Sequence, residues 1–188
     1  MLAPGSRGGE VAELQRELAA AGFGPGPVDG IFGPRTRGAV ERLQEYCGLA
    51  VTGSAGQATR QALGLLLPHP AQPGRRLSPH FTEGEFRCRC CGVVRLNMRL
   101  LSMLEQLRAN LGHRPVVITS GYRCPGHNRA VGGAPNSQHL LGNAADIVVP
   151  GVDPVEVANG AGALGFPGVG KYAAFTHVDV RPGGAARW

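Results

Sequence analysis

The chain has 188 residues, a formal net charge of +6, 30 glycines, 15 prolines and five cysteines. No stretch is long and apolar enough to cross a bilayer as a helix, which argues against membrane insertion. No basic run is interleaved with aromatics, which argues against nucleic-acid binding, while the positive balance suits an anionic polymer.

The first predicted helix starts near Val11, with Val11, Leu14, Leu18 and Ala21 recurring at helical spacing. Gly22-Phe23-Gly24-Pro25-Gly26-Pro27 breaks it, and Asp29-Gly30 and Gly33-Pro34 read as turns. Residues 36–46 give a second helix with Ala39, Val40, Leu43 and Tyr46 inward and Thr36 placed to cap it. Gly53 marks a further turn and residues 57–66 a third helix. Gly30-Ile31-Phe32-Gly33 faintly echoes Gly53-Ser54-Ala55-Gly56, too briefly to count as a repeat. Residues 1–66 are therefore expected to form a small three-helix bundle. This stretch resembles the type 1 peptidoglycan-binding domain through Gly8-Gly9-Glu10-Val11-Ala12-Glu13-Leu14-Gln15, Val28-Asp29-Gly30-Ile31-Phe32-Gly33-Pro34-Arg35-Thr36 and Val51-Thr52-Gly53. The resemblance implies binding to bacterial cell-wall peptidoglycan.

Residues 67–79 hold four prolines and little apolar periodicity, and read as a semi-rigid linker. From residue 80 to 188 the pattern is that of an α+β domain with a small antiparallel sheet. Thr82 and Glu85 form a capping box. Asn97 caps a helix running to Leu111 and ended by Gly112. Strands are expected at 115–119 and 144–149, a helix at 154–164, and a closing hairpin at 169–172 and 175–180. Cys88, Cys90, Cys91 and Cys124 form a possible group, with Cys47 apart. Cys88 and Cys91 have zinc-knuckle spacing, but no second such pair follows. A disulfide from the first three to Cys124 is favoured over a structural metal that recruits Cys90 or Cys124.

Two stretches concentrate metal-binding chemistry. In Phe175-Thr176-His177-Val178-Asp179-Val180 strand alternation puts His177 and Asp179 on one face. In Ala144-Ala145-Asp146-Ile147-Val148-Val149 a lone Asp sits in an apolar, central strand, where it is costly unless paired or bound to a cation. His139 lies seven positions before Asp146 in a Gly/Ser/Asn-rich loop that can fold back onto it. His139, Asp146 and His177 make the three-ligand set of a catalytic Zn2+ site with a fourth position left open.

These residues resemble the zinc D-Ala-D-Ala peptidase family, whose Ser-x-His-x-x-Gly-x-Ala-x-Asp signature is matched from Ser137 to Asp146. The likeness extends to His80-Phe81-Thr82-Glu83-Gly84-Glu85-Phe86, Ser120-Gly121-Tyr122-Arg123, Val131-Gly132-Gly133-Ala134 and the terminal His177-Val178-Asp179-Val180-Arg181. It implies zinc ligands His139, Asp146 and His177, and substrate contacts from Arg123, Ser137 and Ser120. Many members of the family carry an acid three residues before the last histidine ligand; here that position is Ala174. Asp179 is therefore taken as the proton acceptor, or alternatively as the group orienting His177, and His127 as a weaker proton-transfer candidate.

The implied activity is that of a zinc metallopeptidase cleaving peptidoglycan stem peptides or cross-links, as a D,D-carboxypeptidase or a D,D- or L,D-endopeptidase. The alternative is a non-catalytic wall-binding protein with a structural zinc. A monomer working at the cell wall is expected. The start, Met1-Leu2-Ala3-Pro4-Gly5-Ser6-Arg7, has no apolar core of a secretory leader, so the export route stays open.

Overall fold

Apolar stripes at helical spacing organise the beginning of the chain. In the computed structural model, which describes residues 1–188, they become Gly9–Ala20 (α1), Pro34–Tyr46 (α2) and Gln57–Leu66 (α3). These helices bury Val11, Leu14, Leu18, Ala39, Val40, Leu43, Leu63 and Leu66 against one another within a unit spanning Met1–Leu67. Two buried glutamines close its turns. Gln15 Nε2 reaches Asp29 Oδ1 (2.9 Å) and Thr36 Oγ1 (3.1 Å), and its Oε1 accepts from the Gly30 amide (3.0 Å). Gln44 does the same one helix later, with Nε2 on Ser54 O (2.9 Å) and Thr59 Oγ1 (3.0 Å) and Oε1 accepting from Gly53 N (3.0 Å). The short sequence echo is thus a structural repeat of helix, glutamine-closed turn and helix. It also displaces Thr36 from its expected capping role: Pro34 opens α2, no side chain caps it, and the buried Thr36 hydroxyl serves the Gln15 hub instead.

The second unit is Pro68–Trp188. The proline-bearing stretch expected to be a linker is built into it. His69–Pro70 (β1) pairs antiparallel with Val93–Val94 (β2). The cause of this order is Glu83, whose side chain is fully buried. Its carboxylate takes the Gln72 amide (2.7 Å), His69 Nε2 (2.8 Å) and Arg75 Nη1 (3.4 Å). A buried carboxylate needs such partners, and they come from residues 69–75. Glu83–Phe86 forms a 3-10 turn with the expected Thr82/Glu85 capping box.

The core sheet has the order β3-β4-β6-β5-β7, from Val117–Ser120 (β3), Ala144–Val148 (β4), Gly168–Lys171 (β5), Thr176–Asp179 (β6) and Ala186–Arg187 (β7). All pairings are antiparallel except β5–β7. One face buries Ile118, Ile147, Val169 and Val178 with Met98–Asn110 (α4), Pro154–Ala163 (α6), Phe81, Phe86 and Phe166. Asn97 caps α4 by accepting from Arg99 N, as its position predicts. Strand alternation then sends Asp146, His177 and Asp179 to the opposite face. β5 clears space on that face with Gly168 and Gly170: a Cβ at Gly168 would meet Asp179 Oδ2 at 2.1 Å, and one at Gly170 would meet Trp188 Nε1 at 2.5 Å. The α+β class and small, mainly antiparallel sheet expected for this half are present.

Candidate metal centre

Asp146 and His177 are direct partners across the β4–β6 ladder. His139 reaches them from a 3-10 turn, Gln138–Leu141, that ends at Gly142 in the left-handed conformation. No other residue fits Gly142, because a Cβ there would stand 2.4 Å from the Arg95 carbonyl oxygen. His139 Nε2, Asp146 Oδ1 and His177 Nδ1 converge: the pairwise separations are 3.2 Å, 2.9 Å and 3.3 Å.

The outer nitrogens decide what this convergence means. His139 Nδ1 lies 2.6 Å from the Gly121 carbonyl oxygen, which only accepts, so Nδ1 carries the proton. His177 Nε2 faces the Asp179 carboxylate at 3.2 Å and donates to it. In the neutral rings, both inward nitrogens are then lone pairs pointing at each other and at a carboxylate oxygen. Three buried acceptors at this distance repel one another unless a cation stands among them. Burial pushes Asp146 up, but its close contacts with His139 and His177 outweigh it and hold the carboxyl well below the ordinary range. Burial likewise lowers His177, but Asp146 and Asp179 together raise it above the usual imidazole value. The pocket thus attracts positive charge.

The centre opens into a cleft of about 570 Å³, walled by Arg123, Gly133, Ser137, Tyr172, Arg181 and Trp188 among others. Arg123 is drawn to Asp146 through Nη2, and its Nε donates to Ser120 Oγ at 2.9 Å. Ser137 lines the cleft. Ser120 does not line it; its hydroxyl positions Arg123.

Asp179, expected either as proton acceptor or as the group orienting His177, lies behind the cleft wall. It is fully buried, does not line the cleft, and is gripped by Arg181 through Nε at 2.8 Å and 3.1 Å as well as by His177. Burial raises its carboxyl, but the Arg181 and His177 hydrogen bonds dominate and keep it ionised well below the usual range. His127 also stands outside the cleft, with Nδ1 3.3 Å from Cys88 Sγ.

Arg181, Tyr172 and Trp188 were not anticipated. Arg181 had a signal, since it is two residues beyond Asp179 and so on the same strand face. Trp188 had none: its indole lies 5.2 Å from the His177 ring, has Arg181 5.2 Å from its centroid, and donates from Nε1 to Tyr172 Oη at 2.9 Å. The expected disulfide is absent. Cys88, Cys90, Cys91 and Cys124 are not joined by disulfides and gather with their sulfurs within 4.8 Å of one another.

Comparison with known proteins agrees with this geometry. The Peptidase M15 family model matches residues 79–179, and the model of a putative peptidoglycan binding domain matches residues 7–63. The zinc D-Ala-D-Ala carboxypeptidase of Streptomyces albus G is 35% identical over 181 residues, 88% of this chain and 63% of that protein. The probable peptidoglycan L,D-endopeptidase MepK of Haemophilus influenzae is 32% identical over 99 residues, 48% of this chain and 53% of that one. The spore cortex-lytic enzyme of Bacillus cereus is 48% identical over 59 residues, 31% of this chain and 23% of the enzyme. The chain therefore spans less than two thirds of the length of each of these relatives. The resemblance read from Ser137–Asp146 and from the helical stretch is borne out: with a match over more than half of its residues, the chain belongs to the Peptidase M15 family and carries a peptidoglycan-binding-type domain ahead of the peptidase domain.

Proposed function

We propose that the chain is a zinc-dependent peptidase that hydrolyses stem peptides or cross-links of bacterial peptidoglycan and is held at the cell wall by residues 1–66. The observation that carries this reading is the convergence of two imidazole lone pairs and the Asp146 carboxylate at the floor of an open cleft. His139 Nε2, Asp146 Oδ1 and His177 Nδ1 would hold the ion, a His/Asp/His set that suits zinc. Zinc bound there supplies Lewis-acid polarisation of the scissile carbonyl and makes water a stronger acid.

The remaining work falls to the chain. Gly121 and Asp179 fix the tautomers of the two histidines. Arg123 offers Nη1 to a substrate carboxylate or carbonyl, held in place by Ser120, and Ser137 contacts the peptide beside it. Residues 1–66 raise the local concentration of the insoluble substrate. The printed activities of the relatives, a D-Ala-D-Ala carboxypeptidase and a probable L,D-endopeptidase, support this substrate class. No helix is long and apolar enough to cross a membrane. The protein acts as a monomer at the wall, outside the cell.

One observation favours a second reading. Asp146 is the one carboxylate lining the cleft, and Ala174 stands where many members of the family carry an acid. A wall-binding protein whose metal is structural would look the same. Mass spectrometry of purified peptidoglycan after incubation with the zinc-loaded chain separates the two. EDTA-sensitive loss of a terminal D-Ala identifies a carboxypeptidase, and loss of cross-linked dimers an endopeptidase. His139→Ala should abolish either product while the fold is kept. No product, with the chain still pelleting with the wall, would establish the second reading.

A further inference from the structure

Four thiols meet on the side of the peptidase domain that carries Arg123. Cys88 is fully buried just after the Glu83–Phe86 turn, Cys90 and Cys91 lie in the reversal closed by Gly92 N–H to Cys88 O (2.9 Å), and Cys124 directly follows Arg123. The four sulfurs all lie within 4.8 Å of one another; Cys88–Cys90 is 3.6 Å and Cys90–Cys124 is 3.3 Å. A tetrahedral zinc tetrathiolate with Zn–S of about 2.3 Å requires sulfur–sulfur distances of roughly 3.8 Å, so the gathering has nearly the right size. A disulfide would use two of these sulfurs at about 2.05 Å and leave the other two without a reason to be there.

N–H groups point at two of the four sulfurs. The Cys124 amide points at Cys88 Sγ (3.4 Å) and the His127 amide at Cys124 Sγ (3.4 Å). His127 Nδ1 adds a third contact, to Cys88 Sγ at 3.3 Å. N–H groups aimed at sulfur stabilise its anionic form. Arg87 and Arg89 flank Cys88 in sequence.

We propose that Cys88, Cys90, Cys91 and Cys124 form a second metal site, a structural tetrathiolate for zinc, with His127 as a hydrogen-bond donor to sulfur. Binding displaces the four thiol protons to solvent and forms four Zn–S bonds, with no change of oxidation state. The site ties residues 88–91 to the loop that begins at Gly121. That loop is already docked by Tyr122 N–H to Phe86 O (2.8 Å), and a Cβ at Gly121 would stand 2.6 Å from Phe86 O. The Gly121 carbonyl and Arg123 are thereby fixed where they serve His139 and Asp146. The inference stands apart from the peptidase reading, since it concerns different ligands.

The test is metal stoichiometry of the full chain, purified and loaded with zinc under reducing conditions. Two zinc ions per chain are expected. Cys90→Ser/Cys124→Ser should lose one, His139→Ala/His177→Ala should lose the other, and His127→Ala and Cys47→Ser should lose neither. Should the His/Asp/His reading fail, the unaltered chain would hold one zinc and the double-serine variant none, which still supports the cysteine site. A variant that does not fold leaves a second measurement on the unaltered chain: cobalt substitution should give thiolate-to-cobalt charge-transfer absorption of a four-sulfur site. Zinc content unaffected by the double-serine change, or cobalt-loaded chain without that absorption, would overturn the proposal.

Discussion

Replacing Asp179 by Asn separates two roles for this carboxylate. The change preserves volume but removes the charge that faces His177 Nε2 at 3.2 Å and Arg181 Nε at 2.8 Å. An asparagine can present an amide N–H2 as readily as an oxygen to Nε2, so His177 is no longer held with its lone pair on Nδ1. Carboxylate partners of metal-binding histidines are typically worth roughly 10–100-fold in metal affinity. At about 1.4 kcal/mol per decade that is about 1.4–2.8 kcal/mol. Competition with a chelator gives the zinc Kd, and hydrolysis of a stem-peptide substrate at saturating zinc gives kcat. The expected result is a Kd weakened within that range, with most of kcat recovered once zinc saturates. An unchanged Kd with kcat reduced by about 10²–10⁴, the usual contribution of a general acid or base, would refute the orienting role and make Asp179 the proton carrier.

Acid stability tests the same pair of carboxylates. Asp146 and Asp179 are depressed in the folded chain, so their stabilisation is full above the unfolded carboxylate value of about 3.9 and is lost as pH falls below it. Tm measured against pH should fall steeply in that window, and less steeply for Asp179→Asn. Gly142→Ala places a methyl against the Arg95 carbonyl at a φ of +71°, so urea denaturation should show a loss of about 1–3 kcal/mol, with weaker zinc binding because His139 shares the turn. Gln15→Leu strands the Gly30 amide, and should lower the Tm of residues 1–67 by the equivalent of about 1–3 kcal/mol while leaving zinc Kd unchanged.

Strand periodicity carried much of the site. Alternation alone put His177 and Asp179 on one face, and the expense of a charge in the apolar run Ala144–Val149 flagged Asp146. Alternation also put Arg181 on that face, but it does not say which side chains meet there, so the Arg181 grip on Asp179 could not be read from it. The stretch from Pro68 to Pro79 misled for a related reason. Prolines suppress periodicity, and the two-residue pairing of His69–Pro70 with Val93–Val94 leaves no pattern, yet the buried charge of Glu83 recruits those residues. The cysteines show the limit of spacing: Cys88 and Cys124 are 36 positions apart, and they meet where Tyr122 N–H docks on Phe86 O. In the helical unit the faint Gly30/Gly53 echo understated a repeat, because its defining residues, Gln15 and Gln44, lie outside the echoed tetrapeptides.

The glutamine hubs also set a timetable. Gln15 and Gln44 join residues 8–21 positions apart. The histidine centre spans up to 38 positions and the thiol group up to 36. Closing longer loops costs more entropy, and folding slows as contacts become less local. On a ribosome, residues 1–67 can reach their native form while β6 has yet to be synthesised, and domains generally fold as units in that order. Until His177 has emerged, the nascent chain has no complete cation pocket, whatever the state of the helices that precede it.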